Sequence, residues 1–123
     1  MSVKINVRET PIAMILEVAG RITLGSPGPS IQDGVRELLD GKHKNIILDL
    51  GGVISLDSSG LGQLITSYTT TVSRGGEIKL INLNKRVNDL MQITKLNTIC
   101  SIYTDEATAL ESFEATSVPP RWR

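Results

Sequence analysis

Apolar and polar residues alternate at the start of the chain. Val3, Ile5 and Val7 are separated by charged or polar positions, the period of a half-buried strand. After "ETP" a second alternating run, residues 12–20, puts Ile12, Met14, Leu16 and Val18 on one face and Ala13, Ile15, Glu17 and Ala19 on the other. The short gap predicts an antiparallel hairpin. "LGSPGPS" at 24–30 packs two glycines and two prolines into seven residues and reads as a loop. The period then changes. Ile31, Val35, Leu38 and Leu39 share one helical face behind Ser30, a cap type with Asp33 three residues on, and Gly41 stops the helix.

"NIILDL" at 45–50 is continuously apolar apart from one acid, as in a strand buried on both faces, and Gly51 and Gly52 are expected to break it. Leu61, Leu64, Ile65, Tyr68 and Val72 recur at helical spacing, and Gly75 and Gly76 end that run. "EIKLINL" predicts a strand. Val87, Leu90, Met91 and Leu96 predict a helix from about Asn84. "ICSIY" predicts a fifth short strand, and "DEATALESF" a last helix with acids in its first turn, where the helix dipole favours them. The order β-β-α-β-α-β-α-β-α implies an α/β fold, with a mixed, mostly parallel sheet, an opening hairpin and about four helices. Residues 1–114 form one domain on this pattern, and the polar, proline-containing stretch 115–123 reads as a tail.

Composition narrows the function. At 123 residues one core can form without staples. Thirteen basic residues balance thirteen acids, and aromatics make up 3 %, so neither phosphate contacts nor base stacking point to nucleic acid. No stretch approaches the roughly 20 apolar residues that span a bilayer, and the first residues lack a signal-peptide core; the expectation is a cytoplasmic protein with no membrane insertion. With one Cys and one His, a disulfide within the chain and a thiolate metal cluster are excluded. Cys100 and Met91 read as core residues, His43 as a solvated loop residue, Lys85 and Arg86 as a solvated helix start, and Thr69, Thr70 and Thr71 as a polar helix face.

The seam "VISLDSSGLGQL" at 53–64 is what ordinary packing does not absorb. Ser58 has Leu56 and Gly60 two residues away on either side, which fails the nucleophile-elbow pattern, and a phosphate-binding loop would need a Gly-Lys-Ser/Thr ending. Asp57, Ser58 and Ser59 fall at a helix N-terminus, where free N–H groups favour such residues as caps. Gly60 and Gly62 leave room for another surface to approach. A phosphate there would add about −1.5 to −2 charge. Dipole attraction of ~0.3–1 kcal/mol would be offset by repulsion from Asp57, so the fold would barely respond. A docked partner would respond, because an unpaired charge carried into a dry interface costs several kcal/mol and each ~1.4 kcal/mol is tenfold in affinity.

"VISLDSSGLGQLITSY", with "NIILDL" before it and "GGEIKLINLNKRVNDLMQITKLNTI" after it, resembles the phosphorylation motif of the STAS domain, and more narrowly the bacterial anti-sigma factor antagonists. The resemblance covers about residues 3 to 113. It implies that Ser58 is the phosphate acceptor, with Asp57 flanking it. It also implies that Ser59, Gly60, Leu61 and Gly62 form a helix start contacted by the partner. That partner would be an anti-sigma factor of the ATP-dependent serine kinase type, released on phosphorylation and regained through a serine phosphatase. ATP would belong to the kinase, so no cofactor is expected and the chain would not be an enzyme. Thr23 stands where many members carry an acid near the acceptor, and joins the expected partner-binding residues; the "GSPGPS" loop also departs from the usual compact entry to the first helix. Two other readings stand beside this one: a STAS subunit of a lipid-transport or stress-signalling assembly with no switch, and a nucleotide-binding protein of the same fold.

Overall fold

A computed structural model describes residues 3–25 and 28–117. The hairpin forms as β1 (Lys4–Glu9) and β2 (Met14–Ile22), paired antiparallel with Ile5 opposite Val18 and Val7 opposite Leu16. Three more strands follow in parallel: β3 (Asn45–Leu56), β4 (Glu77–Ile81) and β5 (Ser101–Tyr103). The sheet order is the chain order, β1-β2-β3-β4-β5. The connecting helices are α1 (Ile31–Asp40), α2 (Ser58–Ser73), α3 (Lys85–Ile93) and α4 (Glu106–Ser117).

The sheet separates two cores. Met14, Leu16 and Val18 of β2 and Ile46, Leu48 and Leu50 of β3 pack with α1, α2 and α3, through Ile31, Val35, Leu64, Val87 and Met91. The alternate residues, Ile15 and Ile47, join Ala13 and Ile81 under Ala109 and Phe113 of α4. Alternation along β2 and the first half of β3 thus serves both faces at once, which is why these stretches read as near-continuous apolar runs.

The caps match the local chemistry. Ser30 Oγ accepts from Asp33 N at 3.1 Å, Asn84 Oδ1 from Val87 N at 2.9 Å and Asp105 Oδ1 from Thr108 N at 2.8 Å. Met91 is fully buried and Cys100 is 5 % exposed, with burial pushing its thiol pKa up.

Four expectations need correction. Gly51 and Gly52 do not end β3, which continues to Leu56. The register with β2 shifts between Glu17 and Ala19, and a Cβ on Gly52 would stand 2.8 Å from that of Ala19; the glycine lets two backbones close at an irregularity. Helix α3 stops at Ile93, because Lys95 takes a left-handed conformation (φ 65°), and Leu96 is buried from a separate 3₁₀ turn, Leu96–Thr98. That turn also takes up the stretch before Ser101, so Ile99 and Cys100 lie outside β5.

The fourth correction concerns α2. Its buried face is Gly60, Leu64, Ser67 and Thr71, while Ile65 and Val72 are 45 % and 49 % exposed. Thr71 is not part of a polar surface. Ser67 Oγ donates to Gln63 O and Thr71 Oγ1 to Ser67 O, both at 2.7 Å, so small hydroxyl side chains can be buried with their polarity satisfied inside the helix. Helix α4 ends at Ser117, and residues 118–123, Trp122 included, lie outside the described residues.

Candidate functional site: the start of α2

The last residues of β2 and β3, Ile22 and Leu56, are register partners at the C-terminal edge of the sheet. Open α/β sheets place their binding sites at this edge. Asp57 continues from β3 with extended backbone (φ −108°, ψ −169°), and its N–H donates to Ile22 O at 3.3 Å. The chain then turns into α2 under the control of one carboxylate. Asp57 Oδ1 accepts from Ser59 N at 2.9 Å and Gly60 N at 3.1 Å, while the Asp57 carbonyl accepts from Leu61 N at 2.9 Å.

The other carboxylate oxygen looks away from the helix. Asp57 Oδ2 accepts from Leu24 N at 3.0 Å, so the turn after β2 is tied to the start of α2. The N–H groups of Leu24, Gly60 and Ser59, in that order, hold the Asp57 carboxyl below the ordinary carboxylate range. A second tie lies nearby: Gln63 Oε1 accepts from Ile31 N at 2.9 Å, joining α2 to the first turn of α1.

The expected site residues separate by exposure. Ser58, the first residue of α2, is exposed; Asp57, Ser59, Leu61, Gly62 and Thr23 are half-buried. Leu61 packs against the larger core. Gly60 is buried and faces inward, where a Cβ would stand 2.5 Å from Ile22 O; its small size seats α2 on the sheet. Gly62 has open space where a Cβ would be. Among the described residues nothing hydrogen-bonds the Ser58 hydroxyl.

Two features of this surface escaped the sequence reading. Leu24, from the Gly/Pro-rich loop, is 85 % exposed. Beside the end of β3, an open groove of about 530 Å³ is lined by Leu56, Leu90, Ile93, Lys85, Arg86 and Asp89. Asn84 places α3 along it, with Nδ2 donating to Val53 O at 2.8 Å, and Ile93 is 77 % exposed. An apolar residue inside a loop of turn formers was the available signal for Leu24; the groove had none, because it needs β3 and α3 side by side.

His43 precedes β3, at the opposite end of a twelve-residue strand from Ser58. At about 3.3 Å per residue that is more than 30 Å, beyond any hydrogen-bonded pairing of the two. Among the described residues there is no group of three or more His, Cys, Asp or Glu that could hold a metal, and no helix is long and apolar enough to cross a membrane.

Fold and site together define an α/β domain that presents a serine at the start of its central helix, on the rim of a mostly parallel sheet. Residues 4–109 match the STAS domain family, and the chain belongs to it. It is 34 % identical over 74 residues to the anti-sigma F factor antagonist of Paenibacillus polymyxa, a match covering 60 % of this chain and 63 % of the relative. It is 28 % identical over 102 residues to the anti-sigma-B factor antagonist of Bacillus subtilis, covering 83 % and 92 %. The matched stretch therefore spans less than two thirds of the first of these relatives. Among solved structures, an anti-sigma factor antagonist from Mycobacterium paratuberculosis superposes with a TM-score of 0.80 at 18 % identity, over 92 % of this chain and 95 % of that one.

Proposed function

We propose that this chain is an anti-sigma factor antagonist. It binds an anti-sigma factor of the ATP-dependent serine kinase type and so frees a sigma factor, and phosphorylation of Ser58 ends the binding. The observation that carries this reading is the placement of Ser58. It is exposed at the first position of α2, next to a carboxylate that already caps the helix, and its hydroxyl has no part in holding the fold. Relatives named as anti-sigma factor antagonists support the same role.

In the modification the terminal phosphoryl of ATP moves to Ser58 Oγ. An Oγ–P bond forms, the bridging P–O bond to ADP breaks, and the hydroxyl proton leaves. The kinase supplies ATP, so this chain holds no cofactor, and a serine phosphatase restores the hydroxyl by hydrolysis. Asp57, Ser59, Leu61, Gly62 and Thr23 belong to the contacted surface, with Gly60 beneath it. Because the role is to free a sigma factor for transcription, this reading places the chain in the cytoplasm.

The test is phosphosite mapping after isolation from the native host, followed by binding measurements with the recovered kinase. Phosphate on Ser58, retained binding by Ser58→Ala and weakened binding by Ser58→Glu are expected. Phosphate elsewhere, or equal binding by the two variants, overturns the switch. Stable co-purification with a membrane ATPase and no phosphorylated fraction would favour the structural-subunit reading instead.

A further inference from the structure

We propose that Leu24 is an apolar anchor through which the anti-sigma factor holds this chain, and that Asp57 is the positioning residue that presents it beside Ser58. The inference rests on the reading of the Ser58 surface as the partner-binding face. Its occupant is an apolar pocket on that same kinase.

Three observations converge. Leu24 exposes 85 % of its surface, the most of any large apolar residue among those described. An isolated exposed leucine is ordinary; one pinned beside a functional serine is less so. Leu24 is held there by its own backbone, through the bond from its N–H to Asp57 Oδ2 at 3.0 Å. Thirdly, other apolar groups flank Ser58 along the chain: Leu61, half-buried on the larger core, three residues after it, and Leu56, two residues before it, which lines the groove with Leu90 and Ile93. A charged serine-phosphate position flanked by apolar anchors has the composition of an interface centre, where a few buried side chains carry most of the binding energy.

The same geometry links the anchor to the switch. Asp57 Oδ1 occupies the N–H groups of Ser59 and Gly60, the two residues that follow Ser58. A phosphate on Ser58 carries about −1.5 to −2 charge and competes for those donors at a helix N-terminus. It also repels the adjacent carboxylate. Asp57 gives way, Oδ2 releases Leu24 N, and the turn after β2 no longer presents its side chain. Phosphorylation then acts twice, by charge at Ser58 and by withdrawal of Leu24, while the strands and helices stay in place.

Asp57→Asn separates the two jobs of the carboxylate. Asparagine caps helices as well as aspartate does. With its oxygen turned to the two helix N–H groups, its Nδ2 donor faces the Leu24 N–H, and only that tie is lost.

The experiment uses the full chain in its native host, with a benzoylphenylalanine photo-crosslinker at position 24 or at position 62, where a side chain meets open space. Both positions are expected to capture one and the same ATP-dependent serine kinase. With that kinase purified, Leu24→Ala is expected to bind at least tenfold more weakly, Asp57→Asn to weaken binding comparably with little change in melting temperature, and the double variant to add nothing to the stronger single one. Amide hydrogen exchange at Leu24 is expected to speed up in Asp57→Asn and in the chain carrying phosphoserine at 58. Capture at 62 without capture at 24, or parental affinity in Leu24→Ala, overturns the anchor and leaves the antagonist reading standing. Capture of no kinase at either position overturns that reading and the anchor with it. Additive losses in the double variant overturn the positioning role of Asp57, and unchanged exchange at Leu24 in the phosphorylated chain overturns the release.

Discussion

Arg8 in β1 and Glu106 in α4 lie 98 positions apart in the chain and meet side chain to side chain. Nη1 donates to Oε2 at 3.2 Å and Nη2 donates to Oε1, a forked pair. Arg8 Nε also lies 3.6 Å from Glu17 Oε2, so one guanidinium links the edge strand, its neighbour and the helix on the smaller core. The bond to Arg8 holds the Glu106 carboxyl below its ordinary value.

Removing this link should matter little at any pH, and not at all in acid. With 43 % and 34 % of the two side chains exposed, solvent screens the pair to ~0.2–1 kcal/mol. Because the folded-state pKa of Glu106 is depressed, its contribution is complete above the unfolded value near 4.5 and is lost as pH falls through the lower folded value. Urea midpoints of Arg8→Ala should trail the parent slightly at neutral pH and converge with it in acid. A gap that persists in acid would mean that the lost packing of the Arg8 stem, not its charge, carries the effect.

The two glycines at the start of α2 should respond in opposite directions. Gly60→Ala drives a methyl toward Ile22 O and the Leu56 side chain, overpacking that typically costs ~1–3 kcal/mol. Gly62→Ala meets nothing within 4 Å and gains helix propensity, up to ~1 kcal/mol. Denaturant midpoints of the two variants check this, and a shift of the same sign in both would contradict the seating described for α2.

Phe113 is 1 % exposed and is the largest side chain of the core beneath α4. It also covers Lys79, whose Nζ lies 4.3 Å from the ring centroid and donates to Ser112 Oγ at 2.5 Å. Phe113→Ala should cost ~3–5 kcal/mol and speed amide exchange in α4 before α2. Exchange that rises first around Ser58 would show that the two cores are not separable in this way.

The Asp57 carboxylate predicts a shared titration. Its folded-state pKa is depressed, first by the Leu24 N–H, so its contribution to stability is present above the unfolded value of 3.8 and lost as pH falls through the folded one. The amide ¹⁵N shifts of Leu24, Ser59 and Gly60 should follow one curve with a midpoint below 3.8. A Leu24 amide that titrates apart from the other two would remove the bridge between the turn and the helix.

Much of this architecture is local and could be read along the chain. Alternation sets the two faces of β2, helical spacing sets α1, and Ser30, Asp57 and Asn84 cap the helices that follow them, because each signal depends on neighbours within a few residues. The family resemblance of "DSSGLG" rests on the same short range. What failed locally failed for one reason: contacts between distant segments changed what a residue type does. Gly52 admits Ala19 instead of breaking β3, Thr71 is buried because its own helix satisfies its hydroxyl, and Lys79 is buried because α4 closes over it with a ring and a hydroxyl. Asp57 shows both levels in one side chain. Its Oδ1 caps α2 over two and three residues, which the spacing of the chain already dictates. Its Oδ2 reaches Leu24, 33 positions away, and that bond exists only because parallel pairing brings the ends of β2 and β3 together.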